Sequence, residues 1–288
     1  MLGNFIGVLF DGIAYGSLLF LISVGLSVTM GLMNFINLAH GAFAMFGGYV
    51  CTSLMSRAGM PFLLTLPAAF VAGAVAGLVL ERTLYRRLYR ASHLDQVLFS
   101  IGLVFVAMAG ATYIWGPQQQ PVMLPEYLRG RVMLLGQEVG TYRLFMLAVV
   151  MAITLLLGHL LERTRFGAQL RAAVDNRAAA AGLGINVERV FSLSFALGSG
   201  LAGLGGALGV DVLGLDPTFA IKYMVYFLLV VAVGGAGTIR GPLFAALILG
   251  VFDVAGKYYV PDAGAFVIYA MMVLLLLLFP AGILGRRS

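Results

Sequence analysis

The sequence predicts an all-α polytopic membrane protein with eight or nine transmembrane segments, some of them broken, arranged as two related halves. Composition is the first reason. Of the 288 residues 61% are hydrophobic and only 10% charged, where a soluble domain carries roughly 25% charged residues. The second reason is a mean hydropathy of +1.00, spread over several apolar runs close to the roughly 20 residues a helix needs to cross a hydrocarbon core. Third, these runs do not alternate polar and apolar residues as the strands of a transmembrane barrel do. A single cysteine, Cys51, leaves no internal disulfide framework and no cysteine-rich metal site. The first apolar run is too long for a signal peptide and has no basic stretch before it, so it reads as a span.

Taken in order, Phe5 to Met30 is the first run, with Asp11 near its start and Gly12 and Gly16 on one face, where a second helix can approach closely. The stretch Gly31 to Gly48, GLMNFINLAHGAFAMFGG, then interrupts the hydrophobic pattern, and Phe43 to Ser56 is short for a full span. After a turn at 57–61, Phe62 to Leu80 is a span with a second glycine pair, Gly73 and Gly77. Glu81 to Asp95 reads as a polar loop carrying Arg82, Arg86, Arg87 and Arg90. Gln96 to Trp115 spans again, its tryptophan suited to an interface.

Gly116 to Gly140, with Pro117, Pro121 and Pro125, has no spanning pattern and reads as an external loop. Tyr142 to Leu161 is the next span, and Glu162 to Arg189 a second arginine-bearing loop. Val190 to Val210 is a span laced with glycine, followed by an acidic turn at 211–217. Tyr223 to Val233 leads into a second interruption, GGAGTIRGP (Gly234 to Pro242). Leu243 to Val254 and Ala265 to Leu284 complete the apolar runs.

Positive charge sets the orientation. Twelve of the 18 Lys and Arg residues fall in the 81–95 and 162–189 segments, at Arg240 and at Arg286 and Arg287. That side is expected to be cytoplasmic, with the C-terminus inside. If Phe5–Met30 and Phe43–Ser56 cross separately there are nine spans and the N-terminus is outside. If they form one broken element there are eight and it is inside.

The two interruptions, one in each half, are the candidate functional site. Paired glycine-interrupted apolar segments point to a transport pathway, because a broken helix frees N–H and C=O groups that a bilayer core tolerates only beside a cavity or buried protein. Asn34, Asn37 and His40 either meet a polar solute or satisfy those freed backbone groups. No second histidine, cysteine or acid stands at ligand spacing, so no metal is expected. The G-x-G-x-x-G match at Gly198 to Gly203 lies inside a span without a preceding strand, and close helix packing accounts for it. Asp11 and Asp253 sit toward the ends of their runs, which suggests interface positions. No zinc-protease, nucleophile-elbow or phosphate-loop motif is present, so no enzymatic activity and no cofactor are expected, and the dispersed arginines give no reason to invoke nucleic acid.

The segment ERTRFGAQLRAAVDNRAAAAGLGINVERV (Glu162 to Val190) predicts an alanine-rich helix over 168–181, stopped by Gly182 and Gly184. Leu170, Ala173, Val174 and Ala181 would share a face, and Arg171 and Asp175 would pair at i, i+4. A small-surfaced, weakly amphipathic helix outside the membrane suits docking into a partner's groove.

Four stretches together, MNFINLAHGAFAMFGGY (33–49), RFGAQLRAAVDNRAAAAGLGINVERV (165–190), VGGAGTIRGPLFAALILGV (233–251) and FPAGILGR (279–286), resemble the LivH-type permeases of branched-chain amino acid ABC importers, nearly end to end. The resemblance implies one transmembrane permease domain over 1–288 in a bacterial inner membrane. The implied partners are a second, LivM-type permease, two cytoplasmic ATP-binding subunits and a periplasmic solute-binding protein. It places Asn34, Phe35, Asn37, Leu38, Ala39, His40 and Gly41 on the family's first signature. Gly234, Gly235, Gly237, Thr238 and Gly241 fall on its second glycine-rich pattern, with Arg240 a basic departure. Gly167, Arg171, Ala172, Asn176, Ala179, Ala180, Gly182, Gly184 and Ile185 fall on the segment that couples to the ATPase. The translocation pathway is therefore expected at Asn34, Asn37, His40, Gly41, Gly234, Gly235, Gly237 and Thr238. A secondary transporter or channel working alone is the alternative; it would need ion-coupling carboxylates, which here are sparse and peripheral.

Overall fold

The computed structural model describes residues 2–33, 35, 37–89, 91–122, 124–134, 136–235, 237–279 and 282–284. Its helices are α1 (Leu2–Met33), α2 (His40–Ala58), α3 (Phe62–Leu80), a π turn (Glu81–Tyr85) running into the short α4 (Arg86–Leu88), and α5 (His93–Trp115). A 3₁₀ turn (Glu126–Leu128) and a hairpin of β1 (Arg131–Leu134) and β2 (Gln137–Gly140) follow, then α6 (Thr141–Arg163), α7 (Arg165–Asp175) and α8 (Arg177–Gly182). The chain ends with α9 (Val187–Leu213), α10 (Phe219–Gly234), α11 (Arg240–Tyr259) and α12 (Gly264–Leu278). Among the described residues six helices are long and apolar enough to cross a membrane: α1, α3 with its continuation to Leu88, α5, α6, α9 and α11. Two more, α10 and α12, are apolar but shorter.

Glycine decides which helices form the centre. The apolar window of α9 is 78% buried, whereas those of α5 and α6 are 17% buried. A Cβ on Gly198 would lie 3.0 Å from the Gly25 carbonyl oxygen, and one on Gly203 would lie 2.7 Å from that of Ala69. The G-x-G-x-x-G run is thus a helix-packing surface shared by α1 and α3, as its setting suggested. Gly12 and Gly16 serve α11 in the same way: a Cβ on Gly12 would stand 2.6 Å from Val251 Cα, and one on Gly16 2.9 Å from Leu247 Cα. In a bilayer, where lipid tails are as apolar as leucine, such backbone approach supplies the packing that drives association.

The same contacts give direction. Gly25 faces Gly198, Ile22 faces Gly205 and Leu18 faces Gly209, so α1 and α9 are antiparallel. Asp11 of α1 pairs with Arg143 at the start of α6. The other end of the chain bonds the end of α10, Ile283 N–H to the Val233 carbonyl at 2.7 Å. The described ends of the chain therefore lie at opposite ends of the bundle. Helix α2 does not begin at the end of α1. His40 lies beside Ile22, 11 residues before Met33, which at 1.5 Å per residue is about 16 Å back along the helix.

Four sequence expectations are corrected here. Glu81 does not open a polar loop: α3 continues into the π turn, and Glu81 is wholly buried. Asp253 is no interface residue but 1% exposed inside the bundle, while Asp11 is half-exposed as expected. The 168–181 helix is two helices, because the Asn176 side chain accepts the Ala179 N–H at 2.9 Å and so starts α8 as its N-cap. The predicted Arg171–Asp175 pair gives way to an Arg171 Nη1 bond to the Leu161 carbonyl.

Candidate functional site

Both interruptions dock on α1, five residues apart. In the first, His40 Nε2 donates to the Ile22 carbonyl at 2.8 Å, and the ring is 2% exposed. A carbonyl cannot donate, so the tautomer carries its proton on Nε2. In the second, Gly237 N–H donates to the Ser27 carbonyl and Ser27 Oγ donates to the Thr238 carbonyl, each at 3.0 Å. Thr238 Oγ1 closes the loop on the Gly235 carbonyl at 3.3 Å. The conformation needs its glycines: φ is +90° at Gly235 and +84° at Gly237, a region that side chains with a Cβ rarely enter. Gly41 lets the start of α2 lie against α10, where a Cβ would be 2.8 Å from the Ala220 oxygen. Gly234 and Gly241 face one another across the second break too closely for any side chain.

Asn37 organises the first break. Its Oδ1 accepts the Ala39 N–H at 3.1 Å and the Tyr85 hydroxyl at 2.9 Å, while its Nδ2 is buried without a partner among the described residues. Phe35 sits edge-on to Tyr85 and Tyr89 with centroids 5.2 and 5.9 Å away. Asn34, the other predicted asparagine, lies outside the described residues. Of the two roles open to these polar groups, backbone satisfaction is visible for His40 and for Asn37 Oδ1. Asn37 Nδ2 is the group left free to meet something else.

The π turn that holds Asn37 is itself anchored by charge. Glu81 accepts Ser192 Oγ at 2.5 Å and the Tyr89 hydroxyl at 2.8 Å, with Arg86 Nε 3.6 Å away. Burial, and after it the Glu81 carboxylate, pushes the Tyr89 hydroxyl well above its ordinary range, so it remains a donor. Arg86 also donates to Glu188 at 3.0 Å and Ser192 at 3.1 Å in the first turns of α9. A chain of contacts thus runs from Asn37 through the π turn to Glu188 at the end of the predicted coupling segment and Ser192 just beyond it.

That segment is built by successive caps. Thr164 accepts the Gly167 N–H at 3.4 Å to start α7, Asn176 starts α8, and Asn186 accepts the Arg189 N–H at 2.9 Å to start α9. Leu170, Ala173 and Ala180 join Val187, Val190 and Phe191 in a small core of their own. Gly167 is pressed against the backbone of Leu161. Arg171, Asn176, Ala179, Gly182 and Gly184 are exposed, Ile185 is half-buried and Ala180 is buried. Sequence reasoning missed Leu183, which is 81% exposed amid these small residues; an isolated leucine between two glycines was the signal available. A cavity of about 310 Å³ joins α7 to the second break, lined by Gly167, Arg171, Gly237, Thr238, Arg240 and Leu284 among others. Arg240 pairs across its rim with Glu162 at 3.3 Å, which accounts for the basic departure. The cavity therefore sets Gly167 and Arg171 of one predicted set beside Gly237 and Thr238 of the other, while the remaining predicted residues among those described lie away from it. No group of His, Cys, Asp and Glu among the described residues could hold a metal.

Comparison with known proteins identifies the family. Residues 8–276 match the family described as branched-chain amino acid transport system / permease component. The chain is similar to the high-affinity branched-chain amino acid transport system permease protein LivH of Salmonella typhimurium, 28% identical with 98% of this chain and 96% of the relative covered. A probable LivH of Methanocaldococcus jannaschii is 29% identical, covering 96% and 92%. The permease protein BraD of Pseudomonas aeruginosa is 26% identical, covering 96% and 95%. No solved structure matches. An all-α bundle of membrane-spanning helices, broken twice against one central helix and matched over nearly its whole length, belongs to the family of permease components of branched-chain amino acid transport systems and is a permease subunit of an ABC importer.

Proposed function

We propose that the chain translocates branched-chain amino acids, or a chemically related small solute, across a bacterial inner membrane, with its arginine-rich end and C-terminus in the cytoplasm. It forms one transmembrane permease domain over 1–288 and half of a pathway that a second, LivM-type permease completes. Two cytoplasmic ATP-binding subunits dock on the 162–189 segment, and a periplasmic solute-binding protein delivers solute at the opposite end. The relatives' printed names support the solute class.

The observation that carries the mechanism is continuity between the docking segment and both breaks. The cavity between α7 and Gly237–Thr238 serves the second break, and the Glu188–Arg86–Glu81 network with Tyr85 serves the first. Closure of the ATPases moves the segment against both, and both are hung on α1. The breaks line the path with backbone dipoles and with Asn37, whose Nδ2 is without a partner among the described residues.

The test is Arg171→Glu combined with Asn176→Arg in the assembled transporter. Uptake is lost while the protein still inserts. Wild-type uptake by that double variant would remove the coupling assignment.

A further inference from the structure

At the end of the bundle opposite the arginine-rich segments, α11 buries a carboxylate that neither break uses. Asp253 lies six residues, about 9 Å at 1.5 Å per residue, short of the end of the helix, and is 1% exposed. Its Oδ2 accepts from Lys257 Nζ, one turn on, at 2.6 Å. Its Oδ1 is buried and has no partner among the described residues. Tyr15 of α1 and Tyr223 and Tyr226 of α10 are within electrostatic reach of the carboxylate. Tyr269 of α12 packs against Tyr226 with centroids 6.4 Å apart. The Lys257 ammonium hangs 5.7 Å above the Tyr15 ring. These are the same two helices, α10 and α11, that the second break joins at their other end.

A buried carboxylate and an aromatic ring that share one ammonium, as Asp253 and Tyr15 share that of Lys257, are the chemistry that recognises an ammonium. The carboxylate supplies charge-assisted hydrogen bonds and the ring its negative face. An ionised carboxylate at this depth requires a cation beside it, and here Lys257 is that cation. The two halves of the pair differ in how firmly they are held: the aspartate side chain is 1% exposed and the lysine 52%. Lysine is a point charge on a flexible stem, and an ammonium has three N–H donors. Oδ1 is a second acceptor that Lys257 leaves unused.

We propose that Asp253 and Tyr15 form a primary-ammonium site, occupied in this conformation by the Lys257 side chain and taken over by the ammonium group of the solute during passage. The inference rests on the amino-acid reading above. Lys257 acts as a tethered occupant that leaves when a free ammonium arrives, so the carboxylate is never bare. A solute without an ammonium group gains nothing from the site.

The test uses the purified full-length protein and isopentylamine, an ammonium with a branched hydrocarbon and no carboxylate. Binding is measured by calorimetry for the parent, Lys257→Met and Lys257→Gln, and for each lysine variant combined with Asp253→Asn. Both lysine variants bind the amine at least tenfold tighter than the parent, addition of Asp253→Asn abolishes the gain, and isopentanol binds none of them. Where a variant is too unstable for calorimetry, a rise in its unfolding temperature on adding the amine, absent with the alcohol, reads the same site. Equal amine affinity with and without Asp253 would overturn the proposal and leave the pair as a structural anchor. Leucine uptake by the assembled transporter separates the two readings. Amine binding that needs Asp253 with no leucine carried keeps the site and removes the solute class. Leucine carried with amine binding indifferent to Asp253 does the reverse.

Discussion

Tyr85 donates its hydroxyl proton to Asn37 Oδ1 at 2.9 Å, tying the π turn to the first break across 48 positions of sequence. Tyr85→Phe keeps the ring, with its contacts to Phe35 and Phe195, and removes only this bond. A loss of about 1 kcal/mol of stability is expected, with uptake reduced several-fold because the break loses its link to the coupling end. Thermal unfolding and uptake of the assembled transporter check it. Parental uptake by Tyr85→Phe would show that the hydroxyl serves stability alone.

Ser27 holds the second break from α1 with one side-chain bond and one backbone bond. Ser27→Ala removes only the first, so its effect is smaller than that of Gly237→Ala. The latter forces a Cβ into φ +84°, at about 1–2 kcal/mol, and disturbs the same loop. The ranking of the two unfolding temperatures is the measurement; a reversed order would mean that the break is not held by its backbone conformation.

Glu81 satisfies Ser192 and Tyr89 at once. Glu81→Ala leaves both hydroxyls without this acceptor, at about 1–3 kcal/mol for the buried Ser192 hydroxyl and less for the half-buried Tyr89. Glu81→Gln retains an acceptor and loses less. Hydrogen exchange of the π turn and the first turn of α9 should rise together in Glu81→Ala, since the contact holds both.

On the docking proposed above, Leu183, exposed beside Gly182 and Gly184, would fill a partner's pocket. Leu183→Asp leaves the isolated protein within about 0.5 kcal/mol of its parent, as expected for a surface change. Recovery of the ATP-binding subunits on co-purification falls at least tenfold. Full recovery would move the docking contact elsewhere on the segment.

Sequence pattern located the spans, both breaks and the segment between α6 and α9, because hydropathy and glycine placement are local signals. What escaped it depends on distant partners. Glu81 looked like the start of a loop because it follows an apolar run. Its burial is made possible by Ser192, 111 positions away, and by the helix continuing through a π turn. Asp253 was placed at an interface by its distance from the end of its run, whereas it is 1% exposed within the bundle. Asn176 was read as helix interior since the alanines around it favour helix. Its side chain instead competes for the backbone and starts a new helix. Arg240 looked anomalous alone and finds its reason in Glu162, 78 positions back.

The Ser27–Thr238 bond joins positions 211 apart, and that separation bears on how the protein is made. Helix α1 reaches the membrane long before residues 237–238 are synthesised, yet it is the support on which they settle. Until then the Ser27 side chain lacks its final acceptor, and the glycine face that will receive α11 has only lipid or transient neighbours. Pairings of such long range form late and slowly, and chains waiting for them are open to misassembly. Biogenesis is therefore most vulnerable between insertion of the first helix and arrival of the last third of the chain. Substitutions on the α11-facing side of α1, at Gly12 and Gly16, should show first as reduced amounts of protein in the membrane, before any change in the turnover of the molecules that assemble.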